Sequence, residues 1–157
     1  HGAIFCHSDA HIAVDECGAP EFFTHGAKLV AIAGGDAKLT PASLSEALGH
    51  FQLGVVHHAQ PAALSLTQST ERGTTYTPVE IADLAALAGR HGMKTHMDGA
   101  RFANALAGLG CTPAELTWKA GVDVLSFGAT KNGALAAEAV VFFHPEDARD
   151  FGARRKK

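Results

Sequence analysis

The feature that most constrains this chain is an alternation of short apolar runs with segments of helical period that carry explicit start signals. Strand-like runs fall at Ala3–Cys6, Lys28–Ala33, Ala62–Thr67, Lys94–Met97, Val122–Phe127 and Ala139–Phe143. Several are nearly continuous in Val, Leu, Ile, Phe and Ala, the pattern of strands covered on both faces. Between them, Thr77-Pro78-Val79-Glu80 offers an N-cap, a proline at the first helical position and an acid placed for a capping box. Ile81, Leu84, Ala85, Leu87 and Ala88 follow at helical spacing, and Gly89 or Gly92 ends the helix. Thr112-Pro113-Ala114-Glu115 repeats the device before Leu116–Ala120, with Gly121 as the stop. Pro41–Leu48 behind Thr40, Gly99–Leu109 and Pro145–Arg155 complete the expected helices. Strands alternating with helices predict an α/β fold, a three-layer αβα sandwich with a mostly parallel sheet.

At 157 residues the chain is about one domain, and with 46% apolar and 18% charged residues it can bury a core, which excludes a disordered chain. The net charge is −3 and the one basic run is Arg154-Arg155-Lys156-Lys157, so neither nucleic acid nor an anionic membrane is an expected partner. No apolar stretch approaches the roughly 18–20 residues of a membrane span. Three cysteines without CxxC spacing argue for a reducing, cytoplasmic setting and against a disulfide framework. The chain begins with a strand already under way and stops inside a helix-like segment, which reads as a piece cut from a longer protein at both ends.

In open parallel sheets ligands bind beyond the carboxyl ends of the strands, and two segments place unusual polar groups there. Asp98 closes a strand that reads as buried and Arg101 lies one helical turn on, so both can face one crevice. An acid beside a cation stays ionised and suits a protonated ring nitrogen, although Asp is also a good helix N-cap. Lys131 sits just past the apolar Val122–Phe127 run between glycine-containing turns. A desolvated lysine there forms Schiff bases readily; an exposed turn lysine beside Asn132-Gly133 is the plainer reading.

These residues also carry a resemblance. His96-Met97-Asp98-Gly99-Ala100-Arg101, Ser126-Phe127-Gly128-Ala129-Thr130-Lys131-Asn132-Gly133, and Ala10-His11-Ile12 with Glu16, Gly18 and Ala19 are similar to motifs of the low-specificity L-threonine aldolases, fold-type I enzymes that use pyridoxal 5′-phosphate (PLP). Glu16–Phe23 and Leu116–Asp123 look closest to the phenylserine aldolase branch. The resemblance runs from end to end of the chain. It implies that residues 1–157 are part of the PLP-binding large domain, lacking the phosphate-binding segment upstream and the small domain downstream. Lys131 would hold PLP covalently, Asp98 would pair with the pyridine nitrogen, and His11 would stack on the ring. Arg101 would reach the cofactor's phenolic oxygen and the substrate carboxylate. The implied reaction is aldol cleavage of threonine- or phenylserine-like β-hydroxy-α-amino acids to glycine and an aldehyde. The implied assembly is a homo-oligomer, dimer or tetramer, whose interface completes the site, so that this piece alone is inactive.

One position departs from the family. Many threonine aldolases carry a histidine near the substrate hydroxyl where this chain has Thr70, placing Thr70 at the substrate. A threonine is no ordinary base near neutral pH, which leaves Glu71, His11 or a water to take the hydroxyl proton. Two other functions stay open: another fold-type I lyase reaction such as β-elimination on the same Lys131–Asp98 pair, and a non-catalytic metal-binding or interaction module built on the ten histidines. Against metal, His7-Ser8 lacks the glutamate that a His-Glu-x-x-His motif needs, and no metal is expected. Phe22 and Phe23 read as core or subunit interface.

Overall fold

The computed structural model describes residues 1–156; Lys157, the last residue of the basic run, lies outside them. All six expected strands form: β1 (Gly2–His7), β2 (Lys28–Ile32), β3 (Gln60–Thr67), β4 (Lys94–Asp98), β5 (Val124–Gly128) and β6 (Glu138–Phe142). They make one sheet in the order β2-β1-β3-β4-β5-β6, parallel except for β6, which runs antiparallel to β5.

The helices are α1 (His11–Val14), α2 (Ala19–Phe23), α3 (Pro41–Leu48), α4 (Pro78–Arg90), α5 (Phe102–Leu109), α6 (Pro113–Leu116) and α7 (Phe151–Arg155). The start signals work as their chemistry requires. Thr40, Thr77 and Thr112 each accept the backbone N–H three residues on, and Ser43, Glu80 and Glu115 each reach back to the capping N–H. Each cap is a contribution of about 1 kcal/mol to its helix.

Three helical expectations change. The Thr112–Ala120 segment is α6 followed by a separate 3₁₀ turn, because Thr117 leaves helical geometry at φ −127°, ψ −107° while its hydroxyl donates to the Pro113 carbonyl at 2.6 Å. Pro145–Arg155 likewise splits into a 3₁₀ turn, Pro145–Ala148, and α7. The helix expected from Gly99 begins at Phe102, since Gly99–Arg101 forms a turn. The edge strands also differ from the both-faces-covered expectation: β6 is largely exposed, with Val140 and Val141 open, and β2 is only partly buried, through Leu29, Val30 and Ile32.

Alternation along the strands separates the two sheet faces. Phe5, Leu64, Leu66, Met97 and Leu125 join Leu44, Ile81, Leu84, Leu116 and Val122 in one buried apolar cluster under α3, α4 and α6. Full burial of each such side chain contributes about 1.5–3 kcal/mol. The opposite face carries Ser65, His96, Asp98 and Ser126 toward the carboxyl ends of the central strands. Strand order reverses at β1, which lies between β2 and β3, so the crevice at this end is a topological switch point. Among the described residues no helix is long and apolar enough to cross a membrane.

Candidate active site

A cavity of about 460 Å³ opens at the switch point, within the size range of ligand pockets. His11, Ile12 and Glu16 form one wall from the α1 segment, with Phe23 of α2 beside them; Ser65, His96, Asp98 and Ser126 form the floor; Arg101 and Lys131 are among the other lining residues. Four of the five sequence-predicted residues, Lys131, Asp98, His11 and Arg101, are thus brought together. Thr70 is not among the lining residues: it is 1% exposed, and its hydroxyl lies 2.6 Å from that of Thr74, inside the loop between β3 and α4.

Asp98 is held by backbone on three sides. Its carbonyl accepts the Gln68 N–H at 2.8 Å, the next N–H, of Gly99, donates to the Ser126 carbonyl at 2.7 Å, and Oδ1 accepts the Ala100 N–H at 2.9 Å. The carboxylate therefore shapes the Gly99–Arg101 turn rather than capping α5, whose N-cap is Arg101. Oδ2 is left for a ligand, with no hydrogen bond from a described residue. Gly99 is required by this close approach: a Cβ there would meet Leu125 Cδ1 at 2.6 Å and the Ser126 carbonyl at 3.0 Å.

Lys131 is aligned through its neighbour. Asn132 Nδ2 reaches the carbonyls of Gly128, Ala100 and Gly99 at 2.6, 3.2 and 3.3 Å, and its Oδ1 accepts the Ala103 N–H at 2.9 Å. One amide so joins the lysine turn to the Asp98–Arg101 turn. Lys131 and Asp98 also share a second cavity of about 170 Å³ with Thr130 and Glu138. Neither the Lys131 amine nor the Arg101 guanidinium has an ion pair or hydrogen bond among the described residues. The Lys131 and Arg101 cations and the Asp98 carboxylate, whose Oδ2 has no hydrogen bond from a described residue, thus converge on one cavity, an arrangement complementary to a ligand bearing both anionic groups and a cationic nitrogen.

On the opposite wall, His11 Nδ1 lies 2.6 Å from Glu16 Oε1, and the His11 N–H donates to Glu71 Oε1 at 3.0 Å. Glu71 thus anchors the start of α1. The floor carries a hydrogen-bonded row in which His96 Nδ1 and Nε2 each lie 2.9 Å from a serine hydroxyl, Ser65 and Ser126 respectively. Burial pushes the His96 imidazole below its ordinary value, against the opposing effect of the Asp98 charge. From the sequence alone His96 is a motif residue without a role, and Asn132 is a turn residue. Spacing could place His96 on the Asp98 face, but the serine partners depend on strand register.

Other candidates fall away on geometry. Burial, with the charges of Glu21 and Glu71, pushes the Cys6 thiol up to about 11, so it is protonated near neutral pH. His7 Nε2 lies 3.2 Å from the Gly34 carbonyl and its Nδ1 accepts the Asp9 N–H. No group of three or more His, Cys, Asp or Glu side chains among the described residues is placed to hold a metal ion. Phe22 and Phe23 are 76% and 71% exposed, so they fill no core in this chain.

An open α/β sheet with a charged cavity at its switch point defines a small-molecule-binding domain of the kind enzymes use to hold a cofactor or substrate. The family is more specific: the chain belongs to the beta-eliminating lyases, whose family model matches residues 1–156. It is 49% identical over 155 residues to the low specificity L-threonine aldolase of Pseudomonas sp. (strain NCIMB 10558), covering 99% of this chain and 44% of that protein. The chain therefore spans less than half the length of that relative. Among solved structures, a threonine aldolase from Leishmania major superposes with a TM-score of 0.82 at 30% identity, over 99% of this chain and 45% of that one. Sphingomonas wittichii serine palmitoyltransferase shares the fold, with a TM-score of 0.66 at 16% identity, over 98% of this chain and 35% of that one.

Proposed function

We propose that the protein to which this chain belongs cleaves β-hydroxy-α-amino acids, threonine- or phenylserine-like, to glycine and an aldehyde with PLP as cofactor. The observation that carries the reading is the convergence of Lys131, Asp98, Arg101 and His11 on one cavity. Kinship with the Pseudomonas low specificity L-threonine aldolase supports the reading.

The residues present fit the cofactor. A primary amine without a protein partner can hold an aldehyde covalently, and a carboxylate with one oxygen uncommitted can hold a protonated ring nitrogen. When bound, PLP supplies an electron sink for the bond broken at the substrate's α carbon. The rest is the work of this chain's own groups. Lys131 anchors the cofactor. Asp98 Oδ2 would accept the ring N–H and hold the proton there, and the backbone contacts around Asp98 fix the carboxylate's own position. Arg101 binds the substrate carboxylate. His11 would cover the ring and, with Glu16 behind its Nδ1, forms the pair on the cavity wall that would take the β-hydroxyl proton. Neither Thr70, paired with Thr74, nor Glu71, which accepts the His11 backbone N–H, lines the cavity, and this favours the His11–Glu16 pair for that step. The resemblance further supports a homo-oligomer in a cytoplasmic setting.

The test is borohydride reduction of the full-length protein with PLP, followed by peptide mapping and an assay for aldehyde release from threonine and phenylserine. Label on Lys131 together with glycine and aldehyde is expected. Label elsewhere, or none in cofactor-saturated protein, would overturn the assignment; label with ammonia release and no aldehyde would replace aldol cleavage by β-elimination.

A further inference from the structure

The Ser65–His96–Ser126 row is the polar feature of the cavity floor that the proposed chemistry leaves unused. It crosses three adjacent strands, with Ser65 opposite His96 on the β3–β4 ladder and Ser126 opposite Asp98 on the β4–β5 ladder. His96 and Asp98 are two residues apart on one face of β4, roughly 6–7 Å along the strand.

Both imidazole nitrogens are engaged at 2.9 Å, and the partners are hydroxyls that can donate or accept. A neutral ring is satisfied in either tautomer: one serine donates to the bare nitrogen while the ring N–H donates to the other. A protonated ring would force both serines to accept and would bury a third cation beside Lys131 and Arg101. That cation would compete with a ring nitrogen for the Asp98 charge. The row thus joins β3, β4 and β5 just below the point where Asp98 leaves β4, and does so without adding charge. Ser126 belongs to the row through its hydroxyl and to the Asp98 clamp through its carbonyl, which accepts the Gly99 N–H at 2.7 Å.

We infer that His96 is a positioning residue for Asp98: as a neutral bridge between Ser65 and Ser126 it holds the three strand ends so that the Asp98 carboxylate faces the cofactor's ring nitrogen. The inference rests on the PLP reading given above. Its consequence is specific. Loss of the bridge loosens the pairing of Asp98 with the ring and lowers the basicity of that nitrogen, even where Lys131 still carries the cofactor.

The experiment uses the full-length protein loaded with PLP labelled with ¹⁵N in the ring, read by NMR, with thermal unfolding alongside. The ring nitrogen is expected to be protonated in the wild type. His96→Phe and the Ser65→Ala/Ser126→Ala pair should shift its resonance toward the unprotonated position and weaken PLP binding by about tenfold, the scale of one lost hydrogen bond. His96→Gln, whose amide both donates and accepts, should restore most of the shift. A bridge that is structural only would lower the melting temperature and leave the ring resonance unmoved, and that result in folded, loaded variants would overturn the inference. If His96→Phe does not fold, Ser126→Ala carries the same comparison. If wild-type protein fixes no PLP on Lys131, the parent reading fails and this inference with it; a normal wild type beside unmoved variants fails the inference alone.

Discussion

His11 and Glu16 are joined at 2.6 Å between Nδ1 and Oε1, and both side chains line the wall facing Asp98 and Lys131. The bond fixes the ring's orientation and assigns Nδ1 to Glu16, while Nε2 lies 4.0 Å from Asp15 Oδ2, too far for a hydrogen bond, and so stays open to a ligand. Both groups are partly exposed, at 38% and 45%, so the pair is worth at most about 1 kcal/mol. Glu16→Gln in the full-length protein should therefore lower kcat by up to about fivefold with little change in cofactor affinity. Steady-state kinetics beside a PLP titration check this. An unchanged kcat would remove Glu16 from the proposed proton transfer.

Asn132 joins the two turns that carry the cavity's opposite charges, through the carbonyls of Gly99, Ala100 and Gly128 and the N–H of Ala103. Asn132→Ala leaves the Lys131 amine intact but removes the tie that sets its distance from Asp98. Replacement should cost about 1–3 kcal/mol of stability for the released hydrogen bonds. Borohydride should still fix PLP on Lys131, while turnover falls by at least about tenfold through misalignment. Mass mapping and kcat on the same preparation separate the two effects.

Gly99→Ala tests the packing beneath Asp98. The added methyl would meet Leu125 Cδ1 at 2.6 Å, Ser126 O at 3.0 Å and Phe102 Cβ at 3.3 Å. The leucine methyl can move but the strand carbonyl cannot, so the turn should lift from β5 at a cost of about 1–3 kcal/mol. The Gly99 N–H to Ser126 bond would lengthen and Asp98 would shift with it. Urea denaturation should show the stability loss, and PLP affinity should fall in the same variant.

Much of this was legible in the chain because the signals are local. A Thr-Pro-x-Glu run caps a helix wherever it stands, so α4 and the start of α6 could be placed from residues 77–80 and 112–115. The six strands could be placed from apolar runs. Thr117 was not readable, because the hydroxyl bond to Pro113 that breaks the helix competes with an equally local helical alternative. The exposure of β6 depends on its place at the sheet edge, which hydropathy does not encode. The joint placement of Asp98 and Lys131 in one cavity was expected from strand ends and resemblance. The Ser65–His96–Ser126 row was not, since it needs the register of two ladders, and Asn132 read as a turn because three of its four partners, Gly99, Ala100 and Ala103, lie on a distant segment. Thr70 illustrates the converse: position in a motif suggested the substrate, while the Thr74 pairing turns its hydroxyl into a loop fastening.

Acid should weaken the fold in part through His96. Burial holds the folded imidazole below its ordinary value, with Asp98 opposing. The unfolded chain takes up this proton as the pH falls below about 6.5, whereas the folded state resists it. This contribution to stability is therefore complete above the unfolded value and declines as the pH drops from there toward the lower folded value. Glu80 acts in the carboxylate range further down. Burial raises its carboxyl, but bonds from Lys38 and from the Thr77 N–H and hydroxyl, with the Lys38 charge, outweigh that and hold it below the usual range. Its stabilisation is present above the unfolded glutamate value and is lost as the pH falls through the folded one. Urea midpoints at about pH 7.5 and about pH 5.5 bracket the histidine range, and comparison with His96→Gln separates this imidazole from the others. The wild type should lose stability between the two, and His96→Gln, which has no proton to gain, should show a smaller loss. Equal losses in both proteins would assign the acid sensitivity to the other histidines.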